Sequence, residues 1–102
     1  DPITIFVAKP EEYKLYQNYP NPFNPTTHIE FQLPQEAMVT LKVYNIKGQE
    51  VKTLVDEPKE AGYHAVIWNG LDNNGSSVSS GIYYYRLVTD EHVEIKKMVL
   101  LR

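Results

Sequence analysis

Serine and histidine are the side chains of this sequence with the greatest potential for chemistry. Four serines cluster late in the chain and three histidines are spread along it: Ser76, Ser77, Ser79, Ser80, His28, His64 and His92. A serine nucleophile of the G-x-S-x-G type needs glycine two residues away on both sides, and none of these serines has that arrangement. The histidines lack the H-E-x-x-H spacing of a zinc-binding helix. We therefore predict that the chain is not an enzyme and that the histidines are surface or cross-strand residues.

Cysteine is absent, which excludes disulfides, thiolate catalysis and cysteine-bound zinc. Oxygen ligands are concentrated in residues 69–75, which include Asp72 and Asn74. An EF-hand loop starting at Asp72 would need Gly at position six and Glu at position twelve, where the sequence has Ser77 and Tyr83. Asn, Asp and Gly are also the residues that tight turns require. We expect a turn without metal or cofactor, and a calcium site at Asp72 and Asn74 is the lesser alternative.

Aromatic residues offer another kind of site, since the chain has eight tyrosines and one tryptophan. Flat rings can stack on sugars, and Tyr83 and Tyr85 would share one face of a strand, with Tyr84 on the other. Aromatic residues are also favoured in strands for packing and cross-strand pairing. We expect packing, with carbohydrate binding as the alternative.

The elements that must position these residues are strands. Apolar and polar residues alternate with a period of two in most of the chain, as in half-buried strands. The predicted strands cover residues 29–33, 39–43, 50–55, 62–68, 82–88 and 93–101, and Ile3 to Val7 could add one more. No segment has a helical stripe. Six or seven strands within a one-domain length of 102 residues predict an all-β antiparallel sandwich or barrel.

Turn residues separate the predicted strands. Asn45–Gly48 should close a hairpin with a bulge, and Thr89–His92 should close the last hairpin. Pro58 and Gly62 should bracket another connection, because proline cannot donate a hydrogen bond to a sheet. Both alternating residue sets of segment 62–68 are largely apolar, which predicts a central strand buried on both faces.

Charge and hydropathy exclude two classes of partner. The net charge is −3, and the sequence has no basic stripe of the kind that nucleic-acid binding requires. No apolar run approaches the length of a membrane-spanning helix. The first residues lack the pattern of a signal peptide, and Asp1 rather than Met begins the chain. We expect a piece of a longer precursor, with no nucleic-acid partner and no membrane span.

A proline-rich segment is the most distinctive part of the sequence. We call it the proline block: Asn18, Tyr19, Pro20, Asn21, Pro22, Phe23, Asn24 and Pro25. Its prolines forbid helix and favour extended backbone in the residues before them. Tyr19 and Phe23 could plug the edge of a sandwich core. We predict a rigid loop that covers one end of the core, and an exposed recognition loop is the alternative.

The proline block, with Leu15-Tyr16-Gln17 before it and Thr26-Thr27 after it, resembles the opening of type A C-terminal sorting domains of the type IX secretion system. The resemblance continues in residues 29–34, 39–45, 48–51, 61–64, 68–70, 80–87 and 96–101. The later hairpin motifs also resemble the Ig-like domain of flagellar hook-cap proteins. The resemblance implies an Ig-like antiparallel β-sandwich of about seven strands over residues 13–102. Residues 1–12 would be a linker or the tail of an upstream domain.

The same resemblance implies a role in sorting. Domains of this family direct an attached cargo protein across the outer membrane, so the protein would be periplasmic in transit and then extracellular or on the cell surface. The implied partners are the type IX translocon, its sorting protease and an N-terminal cargo domain in the precursor. The alternative is an accessory β-sandwich module of a secreted enzyme, which binds carbohydrate or packs on the catalytic domain.

The segment that the secretion machinery reads would be the terminal one: Lys96, Lys97, Met98, Val99, Leu100 and Leu101. In the sequence pattern, Lys96 and Lys97 interrupt the alternation of the last strand. Strand addition would suit such a segment. Met98, Leu100 and Leu101 would then supply specificity.

Overall fold

Residues 9–102, which the computed structural model describes, form an all-β sandwich of two antiparallel sheets. The strands are β1 (Lys14–Leu15), β2 (Thr27–Leu33), β3 (Ala37–Asn45), β4 (Glu50–Lys59), β5 (Gly62–Trp68), β6 (Gly81–Val88) and β7 (Val93–Leu100). This part of the chain has no helix that is long and apolar enough to cross a membrane. The predicted Ig-like sandwich of about seven strands is confirmed. The extra strand predicted at Ile3 to Val7 lies outside the described residues.

The strands divide between a smaller and a larger sheet. The smaller sheet has the order β1-β2-β5, and the larger has the order β4-β3-β6-β7. β2 pairs with β5 along its whole length, beginning with Thr27 opposite Trp68. β6 pairs with β7, beginning with Gly81 opposite Leu100. Consequently β1 and β5 are the edges of the smaller sheet, and β4 and β7 are the edges of the larger sheet.

The core lies between the two sheets and includes residues from the proline block and from β7. The largest fully buried side chains, together with Phe23, are Trp68, Tyr85, Phe31, Leu15, Ile29, Leu33, Leu41, Leu87, Met98, Leu100 and Val39. The Trp68 ring lies 5.6 Å from the Phe23 ring and 5.4 Å from the Tyr83 ring. Full burial of a large apolar side chain contributes about 1.5–3 kcal/mol. Phe23, Met98 and Leu100 are therefore structural parts of the domain.

Both predicted hairpin turns are confirmed. Gly48 N–H donates to Asn45 O at 2.9 Å, and Asn45 Oδ1 accepts from Gln49 N–H at 3.0 Å. Gly48 has a φ of 80°, in the region that favours glycine. Two register shifts in the β3–β4 ladder mark the bulged geometry. Thr89 N–H donates to His92 O at 2.8 Å and closes the β6–β7 hairpin.

Two predictions about strand surroundings are wrong. β4 continues through Pro58 to Lys59; proline is tolerated there because an edge strand has one side without ladder hydrogen bonds. β5 is an edge strand rather than a central one, and its outward side chains Tyr63 and Ile67 are 64% and 59% exposed. Apolar composition on both faces therefore did not mean burial on both faces. Burial depends on which strands and sheets pack against the segment.

Candidate recognition surface at the proline block and terminal strand

Buried hydrogen bonds fix the start of the proline block. The N–H of buried Asn18 donates to Tyr85 Oη at 2.8 Å, and its Nδ2 donates to Thr27 Oγ1 at 3.0 Å and to Pro20 O at 3.1 Å. The Tyr85 hydroxyl donates in turn to Tyr16 O at 2.7 Å. Burial raises the pKa of Tyr85 to about 12, although the hydrogen bond from the Asn18 backbone opposes the shift. The hydroxyl therefore keeps the proton that it donates.

Phe23 is the side chain of the block that enters the core. It is buried, and its ring packs against Trp68, so the prediction that Phe23 plugs the core is confirmed. The same prediction for Tyr19 is wrong, because Tyr19 is 77% exposed. The Tyr19 backbone instead pairs with His28 through two hydrogen bonds of 2.9 and 2.8 Å, and the ring stays outside the core.

The proline block also occupies the outer edge of β7. Phe23 N–H donates to Val99 O at 3.0 Å, and Leu101 N–H donates to Phe23 O at 2.9 Å. Val99 N–H donates to Asn21 Oδ1 at 3.0 Å. An edge strand otherwise presents unpaired backbone groups to other chains. The block satisfies these groups at the end of β7.

Gln17, directly before the block, extends this contact along β7. Its Nε2 donates to Lys97 O at 2.7 Å across a separation of 80 residues. The edge from Lys97 to Leu101 is therefore closed in the folded domain. In the folded domain, strand addition at this end of β7 would first have to displace Phe23 and Gln17, and recognition by strand addition stays a prediction. Sequence reasoning missed Gln17 because a long-range amide contact leaves no local pattern.

The predicted sorting residues divide between core and surface. Met98 and Leu100 are buried. Lys96 and Val99 are half-buried, and Lys97 and Leu101 are exposed. Because Met98 and Leu100 lie in the core, a partner of the folded domain does not reach their side chains, and the role of the six residues as a sorting signal stays a prediction. The alternation is also unbroken at the lysines. Lys96 belongs to the inward set, with Nζ 3.8 Å from the Glu94 carboxylate, and Lys97 faces outward.

Hydrogen bonds of Phe23 and Asn21 join the proline block to the end of β7, and we call the exposed residues of these two joined segments the composite surface. They are Tyr19, Pro20, Asn21, Pro22, Asn24, Lys97 and Leu101. Tyr19 and Leu101 are its exposed large apolar side chains, and Lys97 is its one charged group. The structure thus brings together two segments that the sequence analysis treated separately.

Arg102 fastens the end of β7 to the connection between β5 and β6. Its Nε donates to Val78 O at 2.6 Å, its Nη2 to Gly70 O at 2.8 Å and its N–H to Ser80 Oγ at 2.8 Å. Gly70 has a φ of 75°, and a Cβ there would lie 2.8 Å from Arg102 Nη2 and 3.2 Å from Pro25 O. Glycine therefore permits the close approach of the block and the chain end. Sequence reasoning missed both Arg102 and Gly70.

His64 and His92 have separate side-chain partners and His28 is exposed on β2, as expected for surface or cross-strand residues. His64 Nε2 lies 2.8 Å from Glu60 O. His92 Nε2 lies 2.9 Å from Glu94 Oε1. Burial disfavours the charged form of Glu94, but hydrogen bonds from His92 and from the Leu15 N–H outweigh it and lower the pKa of that carboxyl.

Asp72 and Asn74 form the predicted turn. Asp72 Oδ1 accepts hydrogen bonds from the N–H groups of Asn74 and Ser76, both at 2.9 Å. Gly75 N–H donates to Asp72 O at 3.0 Å, with a Gly75 φ of 82°. This is the Asx-turn chemistry of such sequences. Across residues 9–102, His, Asp and Glu side chains form no group of three or more that could hold a metal ion.

The tyrosines of β6 divide between the two faces as predicted. Tyr83 and Tyr85 are buried in the core, and Tyr84 is 37% exposed on the opposite face. Tyr83 and Tyr85 therefore pack in the sandwich and are not a platform for a sugar. Tyr84 lies opposite Tyr44, and the Arg86 guanidinium lies over the Tyr44 ring at 5.0 Å.

Comparison with known proteins identifies one matching family. Residues 18–92 match the FlgD Ig-like domain. The match includes the proline block and ends before Lys96, so the end of β7 lies outside it. No curated protein matches the sequence of the chain.

Three solved structures resemble the fold. Dimeric latent PorU from Porphyromonas gingivalis is 18% identical over 83% of this chain and 9% of PorU, with a TM-score of 0.66. PorZ from P. gingivalis, described as an essential bacterial surface component of the type IX secretion system, is 19% identical over 90% of this chain and 12% of PorZ, with a TM-score of 0.58. FlgD from P. aeruginosa is 24% identical over 72% of this chain and 59% of FlgD, with a TM-score of 0.58. At these identities the likeness establishes a shared fold, and this chain spans about a tenth of the first two proteins.

Proposed function

The chain belongs to the FlgD Ig-like domain family, and from that premise we propose that it is a non-catalytic C-terminal sorting domain, which directs an attached cargo protein across the outer membrane by type IX secretion. The cargo would pass through the periplasm and finish outside the cell or on its surface. The proposed partners are the type IX translocon, its sorting protease and an N-terminal cargo domain. The resemblance of the proline block to type A sorting domains supports this role. Fold likeness to parts of PorU and PorZ agrees with it.

The observation that carries the proposal is the contact between the proline block and the end of β7. These two segments carry the resemblance to type A sorting domains at opposite ends of the domain, and backbone hydrogen bonds between Phe23, Val99 and Leu101 join them. Their exposed residues form the composite surface. A partner of the folded domain would therefore meet both segments at once.

The chemistry of the composite surface suits recognition by a protein. Tyrosine is enriched among the residues that dominate binding energy at protein interfaces, and Tyr19 is 77% exposed. The prolines restrict the backbone, so little conformational freedom is lost when a partner binds. Leu101 adds an apolar contact and Lys97 a charge. We propose that the machinery reads these side chains in the folded domain, because pairing with the end of β7 would first require displacement of Phe23 from the core.

A reporter fused ahead of Asp1 tests the proposed role in a host with a type IX system. The fusion should become accessible to protease added outside intact cells, whereas the reporter without the domain should stay in the periplasm. An intact, folded fusion that stays in the periplasm would contradict the proposal. That result would favour the accessory-module alternative.

Deletion of Lys97 to Arg102 cannot separate recognition from folding. It removes Met98 and Leu100 from the core together with the Arg102 hydrogen bonds. Loss of one large buried side chain already costs about 2–5 kcal/mol, so failed export could reflect unfolding. Substitution of the exposed residues Tyr19 and Leu101 avoids this problem because neither side chain is buried.

A further inference from the structure

The sheet edges of this domain differ in their protection against pairing with another chain. β1 is only 2 residues long, β4 carries Glu57, Pro58 and Lys59, and the proline block covers the end of β7. Short edges, charges, proline and covering segments are the usual means of protection. β5 has none of them. Its 7 residues include no Asp, Glu, Lys, Arg or Pro, and within residues 9–102 it pairs with β2 alone.

The outward side chains of β5 are apolar as well as exposed. Tyr63, Ala65 and Ile67 form this row, and all three are exposed. An uncharged edge strand with exposed apolar residues is a template for strand pairing. Another strand is therefore the occupant that suits this edge.

We propose that β5 is a site of self-association, at which two copies of the chain pair antiparallel about a two-fold axis through Ala65. Ala65 is the midpoint of β5, so this register pairs all 7 residues of the strand. Tyr63 then lies opposite Ile67 of the partner subunit at both ends of the row. Aromatic and β-branched residues are favourable cross-strand partners. The self-complementarity of this register is the reason for choosing a second copy as the occupant.

Charges near the proposed axis do not oppose the pairing. The carboxylate nearest to Ala65 on the neighbouring strand is that of Glu30, which lies directly opposite it on β2. In the paired sheet the two copies of Glu30 are three strand spacings apart, roughly 14 Å. This distance exceeds the screening length of about 8 Å at physiological ionic strength. One strand pair buries less surface than the roughly 1,200–2,000 Å² of stable complexes, so the dimer should be weak and dependent on concentration.

A cysteine at the proposed axis tests the pairing, because the chain has no cysteine of its own. Directly opposite residues of antiparallel strands have Cα atoms roughly 4.5–5.5 Å apart, within the range of a disulfide. Under mild oxidation, Ala65→Cys should form a covalent dimer at least about tenfold faster than Asp56→Cys, because pairing raises the effective thiol concentration. Asp56 is the matched control, since it is exposed on the β4 edge strand. Equal rates for the two variants would overturn the proposal.

A charge exchange tests the register. In the Ala65→Cys background, Tyr63→Glu and Ile67→Lys should each slow dimer formation at least about fivefold, because charge on an edge opposes pairing. The two together should restore the rate, since each introduced carboxylate would then face an introduced ammonium across the axis. Within one strand the two positions are about 13 Å apart, so an intrachain ion pair cannot explain a rescue. A combined variant no faster than the single variants would overturn the proposed register.

Discussion

Truncation of Phe23 tests whether the proline block is part of the core. Phe23 is 2% exposed, and its ring lies 5.6 Å from that of Trp68. Replacement of a buried phenylalanine by alanine costs about 3–5 kcal/mol, and the loop can partly collapse into the space. Phe23→Ala should therefore lower the free energy of unfolding by about 3 kcal/mol, a large fraction of the roughly 5–15 kcal/mol of a small domain. The backbone hydrogen bonds to Val99 and Leu101 do not depend on this side chain.

Urea denaturation followed by fluorescence measures the loss, with Trp68, the single tryptophan, as the probe. The thermal midpoint should fall by about 12–24 °C, because each kcal/mol corresponds to about 4–8 °C in a domain of this size. Tyr19→Ala is the matched control within the block, and its effect should stay within about 0.5 kcal/mol because the side chain is exposed. A loss below about 0.5 kcal/mol for Phe23→Ala would refute the reasoning.

Three further predictions concern Gly70, Tyr85 and Asp72. In urea denaturation, Gly70→Ala should lower the free energy of unfolding by about 1 kcal/mol more than Gly75→Ala. Both glycines have positive φ, but only a Cβ at Gly70 meets neighbouring atoms. Equal losses for the two variants would contradict the close packing at Gly70. Tyr85→Phe should cost about 1–3 kcal/mol at pH 7 because it leaves the Asn18 N–H without its acceptor. The folded-state pKa of Tyr85 is raised to about 12, so its stabilising contribution is complete below the unfolded pKa of about 10 and declines between about pH 10 and 12. A difference between wild type and Tyr85→Phe that stays constant over this interval would contradict the assignment. Asp72→Ala should cost about 0.5–1.5 kcal/mol through its lost turn hydrogen bonds, and calorimetry should detect no calcium site tighter than about 10 μM; such a site, abolished by Asp72→Ala, would establish the calcium alternative.

Local patterns predicted most of the strands and turns because these depend on residues close in sequence. The alternation in residues 29–33 and 39–43 required one buried face, and Gly48 required a turn that accepts positive φ. Phe23 was predicted to enter the core because a large aromatic residue in a rigid loop needs apolar surroundings. Tyr19 satisfied the same criterion and is exposed, so residue type alone does not decide which ring enters.

Long-range pairing could not be read from the sequence. Gln17 donates to Lys97 O and Asn21 Oδ1 accepts from Val99 N–H, which joins segments separated by 80 and 78 residues. Such donors and acceptors are too common in the sequence to indicate their partners. The position of β5 at an edge depends on sheet order, which period-two alternation does not specify. The composite surface therefore emerged only when the two segments were located in the fold.

The central claim is that the secretion machinery recognises the composite surface. Its most direct test is the fraction of a reporter fusion that reaches the cell surface when residues of the composite surface are substituted. Tyr19→Ala with Leu101→Ser should lower this fraction at least about tenfold, because both side chains would contact the secretion machinery. The control is Tyr63→Ala with Val93→Ser, which changes two residues of comparable exposure, 64% and 61% against 77% and 52%, away from the composite surface. The control fusion should be exported within about twofold of the unsubstituted one. Equal export of the two doubly substituted fusions, with both domains folded, would contradict recognition through the composite surface.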